Sequence, residues 1–460
     1  MSLLRFRALA ALVCAALAAG AADAAAQEGG AAAGVAAEEA PAARTEPGEL
    51  APELPPVLTL PRALEIFRAR GFDLLVADAS VLSARGDLAI AKGLPNPGLS
   101  VAAGKNFNCA AAQDCSVISY GASVSDSFLV SNFLTGKRGL RTDFASAALE
   151  AAHRSREDAQ RLLEFVLKQS WYQALLAGAQ QQVARETRDS NLHTRQLNER
   201  RFALGALNEA DLATIQVAEL EAEQALDTAT QSARAAKVAV AFLLGFRALV
   251  PDFQIDQKEL DFALPGPVAQ ATREALLADA LQRRPDLRVL EQQIQRAGAG
   301  LKLARRNRFP DIGLSFTYTA NGSGETNISP PNASVGLSFA PPLFYRQGGE
   351  ISKAEADLAT QQVLRQKAEA LVVADVETAF GQVRTTRALV ERMQGSLLER
   401  AQKARDLVQV QYEKGAASLL DLLNAQRTYT ATRGEYALDL ATYWIAVSQL
   451  EQATARELRR

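Results

Sequence analysis

Tyr412–Gln426 reads YEKGAASLLDLLNAQ, a single glycine set between two long runs of helical character. Phe202–Gln216, FALGALNEADLATIQ, repeats the device. An offset of 210 (412 − 202) superposes Phe202 on Tyr412, Gly205 on Gly415, Asp211 on Asp421 and Gln216 on Gln426. In each copy an aromatic stands three residues before the glycine and an aspartate six after it. The pattern predicts the tip of an αα-hairpin. Glycine ends the descending helix in a left-handed conformation that other residues adopt at a cost. The aspartate falls in the first turn of the returning helix, where the positive end of the dipole favours a carboxylate. Two hairpins from a duplicated unit form the skeleton of the chain.

Working outward from the tips, the arms are long. No proline interrupts the stretch from Gly136 to Pro251, and a descending arm from about Arg138 to Ala203 would be roughly 100 Å long at about 1.5 Å per residue. Its returning partner carries Ile215, Ala218, Ala222, Ala225, Ala229, Ser232, Ala236 and Leu243 at steps of three and four, a coiled-coil seam of small residues. The second descending arm is expected from about Gly349 to Lys414, with Val390, Leu397, Ala401, Ala404 and Val408 on its stripe. Leu422, Ala425, Tyr429, Thr432, Tyr436, Leu440, Tyr443, Val447 and Leu450 continue it on the return. The chain is expected to finish on a charged helical end, Arg456–Arg460, rather than on the aromatic strand usual in single-chain outer-membrane barrels.

Ahead of each long arm the period changes from helical to two. A helix from Thr59 stops at Leu94-Pro95-Asn96-Pro97, because proline cannot continue a helix and restrains its predecessor. Leu99 and Val101 then alternate with small residues, as do Ile118, Tyr120, Ala122 and Val124. In the second half Ile312, Leu314, Phe316 and Tyr318 alternate with Gly313, Ser315, Thr317 and Thr319, and Val335, Leu337 and Phe339 follow suit. Each strand is read as about 9–11 residues, the length that crosses a bilayer when tilted. The pattern alone serves equally for a half-buried sheet in a soluble domain. Counting decides between them. Four strands cannot close a membrane barrel, whose smallest members have about eight, and open edges do not persist in hydrocarbon. Either the strands are outside a membrane or several chains pool them, and three chains supply twelve.

The expected organisation is therefore a signal peptide at 1–26, an Ala/Glu/Pro-rich leader at 27–58, and a first repeat at 59–250 with strands in 98–126 and its tip at 205. A non-helical connector at 251–267 leads to a second repeat at 268–460, with strands in 311–340 and its tip at 415. The signal rests on Arg5 and Arg7, the apolar run Ala8–Ala22 and the small residues Ala24–Ala26. Val13 before Cys14 is too large for the usual lipidation site, and Cys14 lies within the apolar run. Cys109 and Cys115, separated by five residues in a polar loop, are expected to form a local disulfide in an oxidising compartment, with two idle thiols as the alternative.

Composition excludes several classes. The 50 basic and 52 acidic side chains balance, and no basic patch for nucleic acid is visible. The only two histidines, His153 and His193, lie ~40 residues and so about 60 Å apart on one helix, and no nucleophile motif accompanies them. No catalytic, cofactor-binding or metal site is expected. A soluble periplasmic coiled-coil adaptor would share the export signal and hairpins but would not need two pairs of bilayer-length strands.

These residues together resemble the TolC-type outer-membrane efflux factors, and within them the branch serving cobalt-zinc-cadmium and related cation exporters. The resemblance is carried by Leu94-Pro95-Asn96-Pro97, Thr135-Gly136-Lys137-Arg138-Gly139-Leu140-Arg141, Arg284-Pro285-Asp286-Leu287, Pro342-Leu343-Phe344 with Gly348-Gly349-Glu350-Ile351, and both glycine tips. It implies a mainly α fold with a small β part: a homotrimer with a 12-stranded barrel in the outer-membrane lipid and a helical tunnel in the periplasm. It also implies a periplasmic adaptor docking around Leu204-Gly205-Ala206 and Lys414-Gly415-Ala416, and an inner-membrane pump of the resistance-nodulation-division type. The cargo implied is heavy-metal cations, with drug efflux or type I secretion as the alternative. The family's gate at the second tip would use Tyr412 and Asp421 here. Its arginine two after the glycine is replaced by Ala417, and its second acidic position is Asn424. Three copies of Asp421 would place negative potential at the tunnel mouth, the plainer role for Asp421 being a helix cap.

Overall fold

The structure, a computed structural model, describes residues 55–105, 118–247, 250, 253–321 and 331–458. The proposed signal peptide, Cys14, nearly all of the leader, and both Cys109 and Cys115 lie outside the described residues.

The duplication is plain in the element lengths. In the first half α1 (Leu60–Arg70) and α2 (Phe72–Lys92) lead to β2 (Gly98–Lys105) and β3 (Ile118–Ser125). A short α3 (Leu129–Leu134) then feeds α4 (Lys137–Ala203), which descends for 67 residues, and α5 (Glu209–Leu243) returns for 35. In the second half α7 (Arg273–Arg283) and α8 (Pro285–Arg306) lead to β5 (Ile312–Asn321) and β6 (Asn332–Phe339). The second descent is α9 (Gly348–Arg392), a π-turn (Met393–Leu397) and α10 (Leu398–Glu413), of 45, 5 and 16 residues, in total one short of α4. Its return, α11 (Leu419–Thr454), has 36 residues. Each return covers about half of its descending arm. The upper part of α4 packs instead on α2 and α8, which sit beneath the strands.

Period two becomes one antiparallel sheet of order β2-β3-β5-β6. The register aligns Leu99, Val124, Phe316 and Val335 in one row, and Ser100, Ser123, Thr317 and Ser334 in the next. Apolar and small-polar rows thus occupy opposite faces. The apolar face is exposed in a single chain, Val101 at 85% and Val335 at 74%. β2 and β6 are edges. The described strands are eight to ten residues long, slightly shorter than expected. Among the described residues no helix is long and apolar enough to cross a membrane.

The main core lies where the two hairpins meet. Trp171 and Tyr172 of α4 face Tyr443 and Trp444 of α11, all at most 3% exposed, with Tyr172 and Trp444 stacked at 6.0 Å. Each such ring removes on the order of 150–250 Å² from water, worth about 4–6 kcal/mol at ~25 cal/mol per Å². The polar atoms of Trp171, Tyr443 and Trp444 have acceptors. Trp171 Nε1 donates to Glu259 at 2.8 Å, Tyr443 Oη to the Ala263 carbonyl at 3.1 Å and Trp444 Nε1 to the Asp261 carbonyl at 3.3 Å. The acceptors belong to the segment read from sequence as a plain connector. That segment instead holds β4 (Gln254–Ile255), a 3₁₀ turn (Gln257–Leu260) and the start of α6 (Gly266–Gln270).

Several boundaries differ from the sequence reading for identifiable reasons. Val57 and Leu58, placed at the end of the leader, form β1, parallel to β4, and Leu58 is fully buried. The helix from Thr59 is interrupted at Gly71, and α11 ends at Thr454 with Ala455 left-handed, so Arg456 is past the helix. In α5 the buried line runs Ile215, Ala218, Ala222, Ala233 and Val240, leaving Ala225 and Ser232 exposed. A nearly straight helix drifts from a strict 3.5-residue repeat. In the second arm Leu397 is 45% exposed because it falls in the π-turn, which rotates the faces below it.

Arg284-Pro285-Asp286 has a structural explanation. Pro285 opens α8 at a position where its missing N–H costs nothing. Arg284, 6% exposed, pairs with Asp286 at 2.6 Å and with Asp375 of α9 at 2.8 Å. It also donates to the Ala453 carbonyl at the end of α11. One guanidinium thereby joins three helices. Burial pushes the Asp286 carboxyl up, but the hydrogen bonds and charge of Arg284 outweigh it and hold it below the usual carboxylate range.

Candidate functional site

Both tips close by the same hydrogen bonds. At the first, Gly205 N–H donates to the Phe202 carbonyl at 2.9 Å and Ala206 N–H to the Arg201 carbonyl at 2.9 Å. At the second, Gly415 donates to Tyr412 at 3.0 Å and Ala416 to Gln411 at 2.7 Å. This is the Schellman arrangement, in which the glycine must be left-handed, and φ is +71° at Gly205 and +77° at Gly415. The returning helices start alike. Asn208 Oδ1 accepts from Asp211 N–H at 2.7 Å, and Ser418 Oγ from Asp421 N–H at 3.2 Å.

Asp421 completes a capping box, its carboxylate accepting from Ser418 Oγ at 2.6 Å and Ser418 N–H at 3.1 Å. Those bonds hold its carboxyl below the usual range. Asp421 and Asn424 are both exposed. The cap is therefore a role seen within one chain. At the very ends, Leu204 is 84% exposed and Gly205, Ala206, Lys414, Gly415 and Ala416 are exposed as well.

Below this symmetry the tips differ. Phe202 is 42% exposed, whereas Tyr412 is 4% exposed within a small cluster of Ile215, Ala218, Leu419, Leu422 and Leu423. The Tyr412 hydroxyl donates to Oδ1 of Asn198, a fully buried side chain on α4. Arg201, also on α4, lies 4.9 Å over the Tyr412 ring. Its Nη2 donates to the carbonyls of Tyr412 at 3.3 Å and Glu413 at 2.9 Å, capping the end of α10 from the other hairpin. Higher up, Gln426 donates to Ser190 Oγ at 2.9 Å, Thr187 bonds Thr430 at 3.1 Å, and Arg433 pairs with Glu186. Burial pushes the Glu186 carboxyl up, but Arg433 and Gln182 donate to it and leave it below its ordinary range.

Asn198 carries no local sequence signal for its role. Arg201 offers a weak signal, a cation in the last turn of a helix. Its targets lie 211 and 212 positions away and need the topology to be found. His153 and His193 both lie on α4, as expected.

The fold defines a class: paired, duplicated helical hairpins beneath a four-stranded sheet whose apolar face and edges are open. The chain belongs to the outer membrane efflux protein family, whose model matches residues 63–246 and 276–456. It is 26% identical over 411 residues to the cobalt-zinc-cadmium resistance protein CzcC of Cupriavidus metallidurans, covering 87% of this chain and 90% of that one. It is 29% identical over 331 residues to the pyoverdine export outer membrane protein OpmQ of Pseudomonas aeruginosa, covering 71% and 68%. Among solved structures, the fold is similar to CusC with a TM-score of 0.70 at 19% identity, covering 86% and 92%. It is also similar to the Campylobacter jejuni CmeC outer membrane channel, with a TM-score of 0.70 at 16% identity, covering 86% and 85%. The protein is thus an outer-membrane efflux channel, not an enzyme. A channel of this family works with a periplasmic adaptor and an inner-membrane pump.

Proposed function

We propose that three copies of this chain form the exit duct of a tripartite pump that expels heavy-metal cations. The open sheet carries the assembly reading. Its unpaired β2 and β6 edges and exposed apolar rows require pairing with other copies in lipid, and three sheets of four strands reach the size of a membrane barrel. The cargo reading rests on the likeness to CzcC over most of both chains. The likeness to OpmQ favours a second reading, export of pyoverdine or a similar compound.

In this reading the exposed tips at Leu204–Ala206 and Lys414–Ala416 receive the adaptor, and the pump, of the resistance-nodulation-division type, selects the cargo. Tyr412, bonded across the hairpins to Asn198, holds the second tip closed. Asp421 from three copies sets the sign of the potential at the mouth. Deleting the gene and loading cells with cobalt, zinc or cadmium tests the cargo. Raised cell-associated metal, reversed by the intact gene, is expected. Unchanged metal content with lost export of a pyoverdine-like compound selects the second reading.

A further inference from the structure

A groove of about 530 Å³ lies at the foot of the sheet, between α2, α4 and α8. Its position follows from the chain: Gly93, Leu94 and Pro95 on one wall directly precede β2, and Arg138 and Arg141 on another stand in the first turns of α4. Three guanidiniums line it, from Arg138, Arg141 and Arg296, against one carboxylate, Asp87. Arg138 is fixed by its bond to the Lys92 carbonyl at 2.6 Å and lies 5.6 Å over the Phe133 ring. Arg296 lies 4.8 Å over Phe144, whose ring belongs to the apolar floor with Ala145, Ala148 and Leu303. On the rim Ile90 is 78% and Leu94 53% exposed, and Phe133, beneath Arg138, is 57% exposed.

Apolar side chains at such exposure are costly in water and favourable at a lipid boundary, where aromatic rings and arginines mark the headgroup level. The rim is continuous along the chain with the exposed apolar rows of β2 and β3. An excess of two positive charges over an apolar floor matches a phosphodiester with acyl chains attached. We propose that this groove binds the headgroup of an anionic glycerophospholipid from the periplasmic leaflet of the outer membrane. Arg141 and Arg296 hold the phosphate, and Arg138, already committed to Lys92, shapes the wall. The proposal rests on the outer-membrane location and is independent of the cargo.

The test uses the intact purified channel in a neutral detergent. Short-chain phosphatidylglycerol and phosphatidylcholine of equal chain length are titrated separately, and bound lipid is counted by native mass spectrometry. Phosphatidylglycerol is expected to bind in preference. At roughly 1 kcal/mol per basic residue near a membrane surface, the double variant R141Q/R296Q should weaken its binding about 30-fold, with phosphatidylcholine unaffected. R427Q, at an arginine 70% exposed on the second tip's returning helix, should change neither. Equal binding of the two lipids by the unaltered protein overturns the proposal. So does displacement of phosphatidylglycerol by millimolar inorganic phosphate, which marks a free-anion site. A double variant with unaltered lipid binding but changed ion selectivity places the arginines in the lumen and also overturns it. Membrane fractionation of the same variants reads the outer-membrane location separately.

Discussion

The sharpest test of the tip is Tyr412→Phe. The phenol is 4% exposed and Asn198, which accepts its proton, is 0% exposed. Water cannot replace the lost donor without opening the cluster, so Oδ1 of Asn198 is left without it at a cost of about 1–3 kcal/mol. The ring and its packing remain. If the hydrogen bond exists only with the tip closed, that cost shifts the closed-to-open ratio by about 5- to 150-fold. Open probability in planar bilayers should rise accordingly. Asn198→Leu should act in the same direction, since it strands the phenol instead. The double variant Tyr412→Phe/Asn198→Leu removes both partners, leaves no orphaned polar atom, and should cost less than the two single changes added together. The reasoning is refuted if Tyr412→Phe lowers the melting temperature but leaves open probability unchanged, because the bond then persists in both positions of the tip. Strict additivity in the cycle would equally show that the two side chains do not act as a pair.

Other consequences are open to measurement. Asp421→Asn should weaken the cation preference of single channels, while Ser418 Oγ still accepts from the residue 421 N–H and keeps the helix start; unchanged selectivity leaves the carboxylate as a cap alone. Gly415→Ala meets open space but a φ of +77°, so it should cost about 1–2 kcal/mol through backbone strain alone. Gly205→Ala, at +71° with the same open space, should cost the same. Urea unfolding of the two variants checks this, and a wide difference between them contradicts the equivalence of the tips. The Asp286 carboxyl is held below its ordinary value in the folded chain, so its contribution is complete above the unfolded carboxylate value of about 4 and is lost as pH falls through the lower folded value. Melting temperatures followed downward from ~pH 7 should show that acid-side loss, and Asp286→Asn should abolish its part of it while lowering stability at neutral pH.

What the sequence shows and what it conceals divides along one physical line. The tips were legible because every determinant is local: glycine, cap and carboxylate lie within six residues of one another. The sheet was legible because alternation over eight to ten residues specifies which side chains share a face. The α11 stripe, Leu422 to Leu450, appears as expected because that helix is unbroken. By contrast, two-residue strands have no period to detect, so in sequence β1 and β4 look like leader and connector. The π-turn at Met393–Leu397 has no proline to announce it, so the periodicity puts Leu397 on the wrong face.

The contacts that distinguish the second tip from the first were hidden for a related reason. Tyr412 to Asn198 spans 214 positions, Gln426 to Ser190 spans 236 and Arg433 to Glu186 spans 247. Each joins one hairpin to the other, and none contributes to forming either hairpin. The local code builds two nearly equivalent tips; the asymmetry between them lies in the seam where α4 meets α10 and α11. In the proposed gate the two layers separate, the caps keeping each hairpin intact while cross-hairpin bonds break. Caps at both tips should therefore tolerate opening, and substitutions that alter gating without unfolding a hairpin should concentrate at Asn198, Arg201 and Tyr412 rather than at the glycines.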